Sequence, residues 1–246
     1  FSLGKTAMLQ DFGRQRNALR PHTSASENGY MQGAAATIRL SDAIRLTPFL
    51  SYRKTDATLN IDGSISSLIY TGYHRTISEL NKKNNTSLTA GGMNVRWNLE
   101  DFSLGATAVF THINRPLSPN KSATYKKIYP EGSNFFNASL NYSWLHYPFS
   151  VNGETAINAN GAIATINTLG WHLSQYVEVM GIYRFYSFNY YSLYANAFSE
   201  GGKTQNESGL YLGVRWQPKY GIDIQAYTDL AYFAWPRYGV SQSSYA

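Results

Sequence analysis

The stretch that most constrains this chain runs from Glu207 to Trp235, ESGLYLGVRWQPKYGIDIQAYTDLAYFAW, where two long runs alternate between apolar and polar residues. Leu210, Leu212, Val214 and Trp216 alternate with Tyr211, Gly213, Arg215 and Gln217. Beyond the turn Pro218-Lys219-Tyr220-Gly221, Ile222, Ile224, Ala226, Leu230 and Tyr232 take one face, and Asp223, Gln225, Tyr227 and Asp229 take the other. A period of two belongs to a β-strand with one apolar and one polar face, and two such runs about a tight turn make a hairpin. Each arm is about ten residues or more. Strands of soluble domains cluster at roughly five or six, whereas a tilted strand crossing a bilayer needs roughly 9 to 11. The length favours a membrane-spanning hairpin.

The same pattern recurs upstream. Ile44, Leu46, Leu50 and Tyr52 oppose Arg45, Thr47, Ser51 and Arg53. Phe102, Leu104, Ala106, Ala108 and Phe110 oppose Ser103, Gly105, Thr107 and Thr111, and Phe136, Ala138, Leu140, Tyr142 and Trp144 oppose Asn137, Ser139, Asn141 and Ser143. Further strands are expected over Phe1–Met8, Gly29–Leu40, Ile65–Tyr70, Leu88–Leu99, Phe149–Asn158, Ala162–Trp171 and Tyr176–Ser187, with two helical turns within Arg75–Asn84. Pro48 removes one ladder donor, so a bulge or an edge is expected there. Short turns near Ser41, Glu100, Tyr147, His172 and Pro218 alternate with long loops at Thr55–Thr86, Asn114–Gly132 and Phe188–Asn206, Asn158–Gly161 being the short exception. Tight turns on one rim and long loops on the other mark an outer-membrane barrel; Greek-key sandwiches do not sort their loops so.

Composition agrees with this. With 20 Tyr, 12 Phe and 5 Trp but only 15% charged residues, the chain is rich in the aromatics that form interfacial girdles. Its mean hydropathy is −0.34, and no apolar run approaches the roughly 18 residues of a spanning helix. The absence of Cys excludes disulfides, thiolate metal sites and cysteine nucleophiles. The net charge of +6 suits nucleic acid, anionic lipid or lipopolysaccharide phosphate without choosing among them. Phe1 opens the sequence with no charged or apolar signal segment, so a secretory signal would lie outside it.

Four strings, GKTAMLQDFGRQRNALRPH, GYHRT, GETAIN and AFSEGGKTQNESGLYLG, carry a resemblance that covers essentially the whole chain. They resemble the C-terminal barrel region of Bacteroidetes outer-membrane proteins in which a helix-hairpin-helix, competence-protein-like segment precedes the barrel. The resemblance implies a bacterial outer-membrane location and a chain that continues at both ends. The helix-hairpin-helix segment is not among these residues, so nothing that binds DNA is carried over.

No catalytic motif in the sequence is complete. Gly202-Lys203-Thr204 looks like the end of a phosphate-binding loop, but Ala197 stands where its first glycine belongs and a strand follows instead of a helix. His22, His74, His112, His146 and His172 lack paired ligand spacing, and no G-x-S-x-G elbow occurs. His112 and His146 fall on apolar faces near strand ends, where a girdle position explains them.

The expectation is therefore an all-β, antiparallel, up-and-down transmembrane barrel domain over residues 1–246, with about ten or eleven strands and part of a larger barrel; the alternative is a soluble β-sandwich. Leu140, Tyr142, Leu212, Val214, Ile222 and Ile224 are expected to face lipid. Arg45, Arg53, Glu154, Arg215, Asp223 and Asp229 are lumen candidates. Lys82, Lys83, Lys121, Lys126, Lys127 and Lys203 are candidates for a basic outer rim facing lipopolysaccharide. No catalytic residue, cofactor or metal is expected. Function is expected to be non-enzymatic, a conduit or an anchor for other envelope proteins, the alternatives being a DNA-uptake pore and a lipid-modifying enzyme.

Overall fold

The computed structural model describes Lys5 and residues 30–219, 221–240 and 242–246. Its strands form one sheet that runs as a meander. β1 (Gly33–Ala35) and β2 (Ile38–Arg39) lie along β3 (Ile44–Leu59), and β3 pairs with β5 (Thr86–Asn98). Then β6 (Phe102–Leu117), β7 (Gly132–His146), β8 (Phe149–Asn158), β9 (Ile163–Ser174), β10 (Val177–Tyr186), β11 (Glu207–Trp216), β12 (Ile224–Phe233) and β13 (Ser244–Tyr245) each pair antiparallel with the strand before. β4 (Ile65–Ile69) folds back on the end of β3 and meets β6 at one parallel bridge, Ile65 with Leu117. Among the described residues the outer strands β1, β2 and β13 do not pair with one another.

The sheet has 13 strand segments instead of the expected ten or eleven. Part of the excess comes from Pro48, which breaks the expected strand Gly29–Leu40 into β1 and β2 without making a bulge. Ala36 N donates to Pro48 O at 3.2 Å, and the return bond fails because proline has no N–H. On its other side β3 stays in unbroken register with β5, Pro48 opposite Met93. The expected loop at Asn114 starts later, since β6 continues through Arg115 and Pro116 to Leu117. That extension lets Ile113 and Leu117 join Ala57, Ile65 and Leu88 in a buried apolar cluster. Of the expected strand Phe1–Met8 only Lys5 is described. The loop after it lies outside the described residues, as does Tyr220 in the turn before β12.

The two faces of the sheet differ as their alternation requires. Leu140, Leu212, Val214, Ile222 and Ile224 are exposed on the outward face, with Leu50, Met93, Leu104, Leu169 and Leu230. Tyr142 shares that face half-buried, its hydroxyl donating to Asn167 Oδ1 at 3.0 Å across the glycine at position 153. Trp97, Trp144, Trp171 and Trp216 are all exposed near the short-turn ends of β5, β7, β9 and β11, while Tyr52, Phe110, Phe136 and Phe185 stand nearer the other ends. Eight residues separate Phe136 from Trp144, ~26 Å along a strand and ~20 Å along the normal at ~40° tilt, close to the band of known barrels.

Antiparallel order puts the connections 60–85, 118–131 and 187–206 at one end, with the short hairpin at Asn160–Gly161. The turns at Asp42, Asp101, Pro148 and Lys219 lie at the other. Within the first long connection α1 (Ile77–Leu80) is a single turn closed by a capping box, Thr76 Oγ1 accepting from Glu79 N while Glu79 accepts from Thr76 N. It falls inside the segment expected to be helical.

Candidate functional site

The inward face is where charge and buried volume gather, and the connection 187–206 folds onto it instead of rising into solvent. Strand side chains hold its backbone. Asn158 Nδ2 donates to Asn189 O at 3.1 Å, and Asn137 Nδ2 donates to Tyr191 O at 2.9 Å. Its tip, Leu193, packs against the cluster of Ala57, Ile65, Leu88, Ile113 and Leu117 on β3 to β6, and Tyr191 meets Phe135 edge-on. The loop thus leaves β10, crosses the concave face as far as β3, and returns to β11. Burial raises the phenol of Tyr190 to about 12, and burial likewise raises those of Tyr191 and Tyr194. These rings are locked away as neutral groups.

Two cavities border the loop. The larger, about 1000 Å³, is lined from β1, β3 and every strand from β5 to β10; the smaller, about 310 Å³, lies among the long connections, between Tyr70, Tyr129 and Leu193. Both are lined by Tyr190, Ala195 and Thr204, so the loop is their partition.

The base of the loop rests on buried charge. Arg184, with no exposed side-chain surface, donates from Nε to Glu207 Oε1 at 2.5 Å and from Nη1 to Asp229 Oδ1 at 2.7 Å. Glu207 also accepts from the loop amides, Glu200 N at 2.9 Å on Oε1 and Gly201 N at 2.8 Å on Oε2. Lys5 reaches Glu200 at 2.6 Å and Asp229 at 3.1 Å. The guanidinium lies flat over the residue paired with it across β10 and β11, Gly209, where any Cβ would sit 2.4 Å from Arg184 Cζ. Phe198 of the loop covers the other side at 4.9 Å.

The lumen candidates are therefore dispersed over several groupings. Arg45 and Glu154 line the larger cavity, Arg53 is buried on β3, and Arg215 pairs with Asp223 at 2.7 Å near the short-turn end. Asp229 belongs to the Arg184 cluster. Sequence reasoning missed Arg184 and Glu207, whose parity with Met180, Ile182 and Tyr211 was the available signal. Lys82, Lys83, Lys121, Lys126, Lys127 and Lys203 all sit in the long connections. Lys121 pairs with Glu131 at 3.0 Å, and Lys126 and Lys203 approach the rings of Tyr125 and Tyr129. His112 Nδ1 bonds Asn134 Oδ1 at 2.8 Å, and His146 Nδ1 bonds Asp101 Oδ2 at 2.8 Å while stacking on Trp144.

Among the described residues no group of three His, Cys, Asp or Glu side chains is placed to hold a metal, and no helix is long and apolar enough to cross a membrane. No family model matches the chain, and no curated protein matches it.

Proposed function

We propose that this chain is a non-enzymatic β-barrel wall of a bacterial outer membrane, a conduit whose lumen is occupied by the loop 187–206. One observation carries the reading: the outward face is apolar and exposed along all nine long strands. At ~4.8 Å between strands and ~20 Å of height, that face is on the order of 800 Å², beyond the roughly 300–600 Å² of the largest patch on a typical soluble monomer. Hydrocarbon is the solvent that accepts such a face at no cost. Tryptophans near the short-turn ends and long connections at the opposite end support an orientation with those turns periplasmic. Lipid and lipopolysaccharide would then be the standing partners, the six lysines meeting phosphate at the outer rim through a salt-screened field. The Bacteroidetes barrels that the sequence resembles are the setting that suits this role.

The test is fluorescence in vesicles of brominated lipid. Quenching of most of the tryptophan emission is expected, because four of five indoles face outward; unquenched emission would sink the proposal. A second reading, an anchor for envelope partners, is favoured by the loop itself, which fills space that a conduit needs. Conductance in planar bilayers separates the two: current appearing only after residues 190–204 are replaced by a short linker fits a plugged conduit, and silence in both proteins fits the anchor. Lipid hydrolysis lost with His112→Ala or His146→Ala would point instead to an enzyme, and salt-dependent duplex binding to an uptake pore.

A further inference from the structure

The smaller cavity, about 310 Å³, is built by all three long connections at once. Tyr70 and the serines of β4, Ser66 and Ser67, come from the first, Pro119, Tyr129 and Pro130 from the second, and Tyr190, Tyr191 and Thr204 from the third. Its walls are tied to one another by backbone and amide bonds. Asn60 Nδ2 donates to Ser118 O at 3.0 Å, Ser118 N donates to Ile65 O at 2.7 Å, and Gln205 Nε2 donates to Phe188 O at 2.8 Å across the base of the third loop. A site fixed in advance loses little freedom when a ligand enters. Two kinds of surface face this space: the rings of Tyr70 and Tyr129 with Pro119, Pro130 and Leu193, and the uncharged polar groups of Ser66, Ser67, Thr204 and Gln205. Thr204 Oγ1 already accepts from Ala197 N at 3.1 Å, so the two serines of β4 are the hydroxyls on offer among the described residues. The single charge among the described lining residues is Lys203, and its ammonium is engaged 5.5 Å over the Tyr129 ring.

We propose that this cavity binds an uncharged pyranose sugar, the end of a glycan chain. The negative face of an aromatic ring attracts the polarised C–H groups on one side of a pyranose. Serine hydroxyls both donate to and accept from the hydroxyls at its rim. A flat aromatic ligand would cover the tyrosines and leave the serines idle, and an aliphatic chain would strand them without partners. No carboxylate among the described lining residues is placed to hold a cation. The volume of about 310 Å³ stands at the lower end of the ~300–1,000 Å³ of small-molecule sites, which suits a single ring or a pair. The proposal does not rest on the membrane reading, since the same three connections would build the cavity on a soluble sheet.

The test is saturation-transfer nuclear magnetic resonance on the whole chain in micelles of lauryldimethylamine oxide, a detergent without sugar. The probes are the methyl glycosides of glucose, galactose and mannose, and wild type should transfer saturation to at least one. Tyr129→Ala should weaken that binding about tenfold, while Tyr129→Phe, which keeps the ring, should stay within about twofold of wild type. Tyr70→Ala should also weaken it. Tyr73→Ala is the control: it removes an exposed tyrosine of the same first connection that lies outside the cavity, and should leave affinity unchanged. Far-ultraviolet circular dichroism verifies that each variant is folded. Absence of transfer to every glycoside overturns the site, as does equal affinity of wild type and Tyr129→Ala, or an equal loss in Tyr129→Ala and Tyr73→Ala. Indole binding more tightly than the best glycoside would make it a flat-aromatic site, and tighter, salt-dependent binding of methyl glucuronide would make it an anion site; either result overturns the proposal.

Discussion

The loop 187–206 is held at two places by opposite physics. At its tip Leu193 enters an apolar cluster drawn from β3, β4, β5 and β6. At its base the amides of Glu200 and Gly201 bond to Glu207, which is also paired with Arg184 beside Asp229. The apolar attachment comes from area removed from water and has no directional requirement. The ionic one is strong only while complete, because removing one partner strands a desolvated charge. A loop fixed this way should loosen at its tip gradually and at its base all at once.

The largest expected effect is therefore at the base. Arg184→Met should lower stability by roughly 3–5 kcal/mol in urea unfolding from micelles, because Glu207 is left buried without its cation and Asp229 keeps only Lys5. Adding Glu207→Gln and Asp229→Asn should recover part of that loss. A single variant that unfolds like wild type would show that water reaches the cluster, and the contrast between the two attachments would fail.

Leu193→Ala comes next, at about 2 kcal/mol for a partly buried side chain leaving an apolar cluster. Its effect should not change with salt, and limited proteolysis should cut the loop faster. A salt-dependent loss would contradict the purely apolar character of the tip.

Alkaline pH tests the loop between its ends. The Tyr190 phenol titrates at about 12 against a usual 10 because it is buried. Its folded pKa is raised, so this contribution is intact below pH 10 and is lost as pH rises from 10 toward 12, where the unfolded chain ionises first. Tyr191 and Tyr194 shift in the same direction for the same reason. Tyrosinate absorbance should therefore show a late group of phenols that ionise together with release of the loop to protease. Ionisation of all phenols near pH 10 with the loop still protected would refute burial there.

Much of the fold was legible because long strands with one apolar and one polar face write those faces into alternate residues; the alternation from Phe136 to Trp144 read correctly one residue at a time. The inserted loop was not legible, since Tyr190, Tyr191, Leu193 and Tyr194 follow no period and periodicity was the instrument. Their apolar surface was the unused clue. Arg184 escaped for a related reason: its inward neighbours Met180 and Ile182 are apolar and pack with Tyr211 and Phe198, so β10 does not alternate cleanly between an apolar and a polar face. The break at Pro48 was foreseen as a defect, but which neighbour loses the bond depends on the side to which the proline nitrogen points, and that parity needs the register.

The smallest effect lies within the ionic attachment itself. Glu200 and Lys5 meet at 2.6 Å, but their side chains are 33% and 31% exposed, unlike the closed pair below them. Water and salt screen such a pair, and Lys5 keeps Asp229 as a partner when Glu200 loses its charge. Glu200→Gln should cost about 0.5 kcal/mol, within the range of surface pairs, and the cost should vanish in high salt. The Arg184→Met loss should persist there, because counter-ions do not enter a closed site. Unfolding both variants at low and high salt would divide the base into a screened outer layer and an unscreened inner one. Equal salt sensitivity in the two would mean that the cluster titrates as one solvated unit and that only the Leu193 end of the loop is dry.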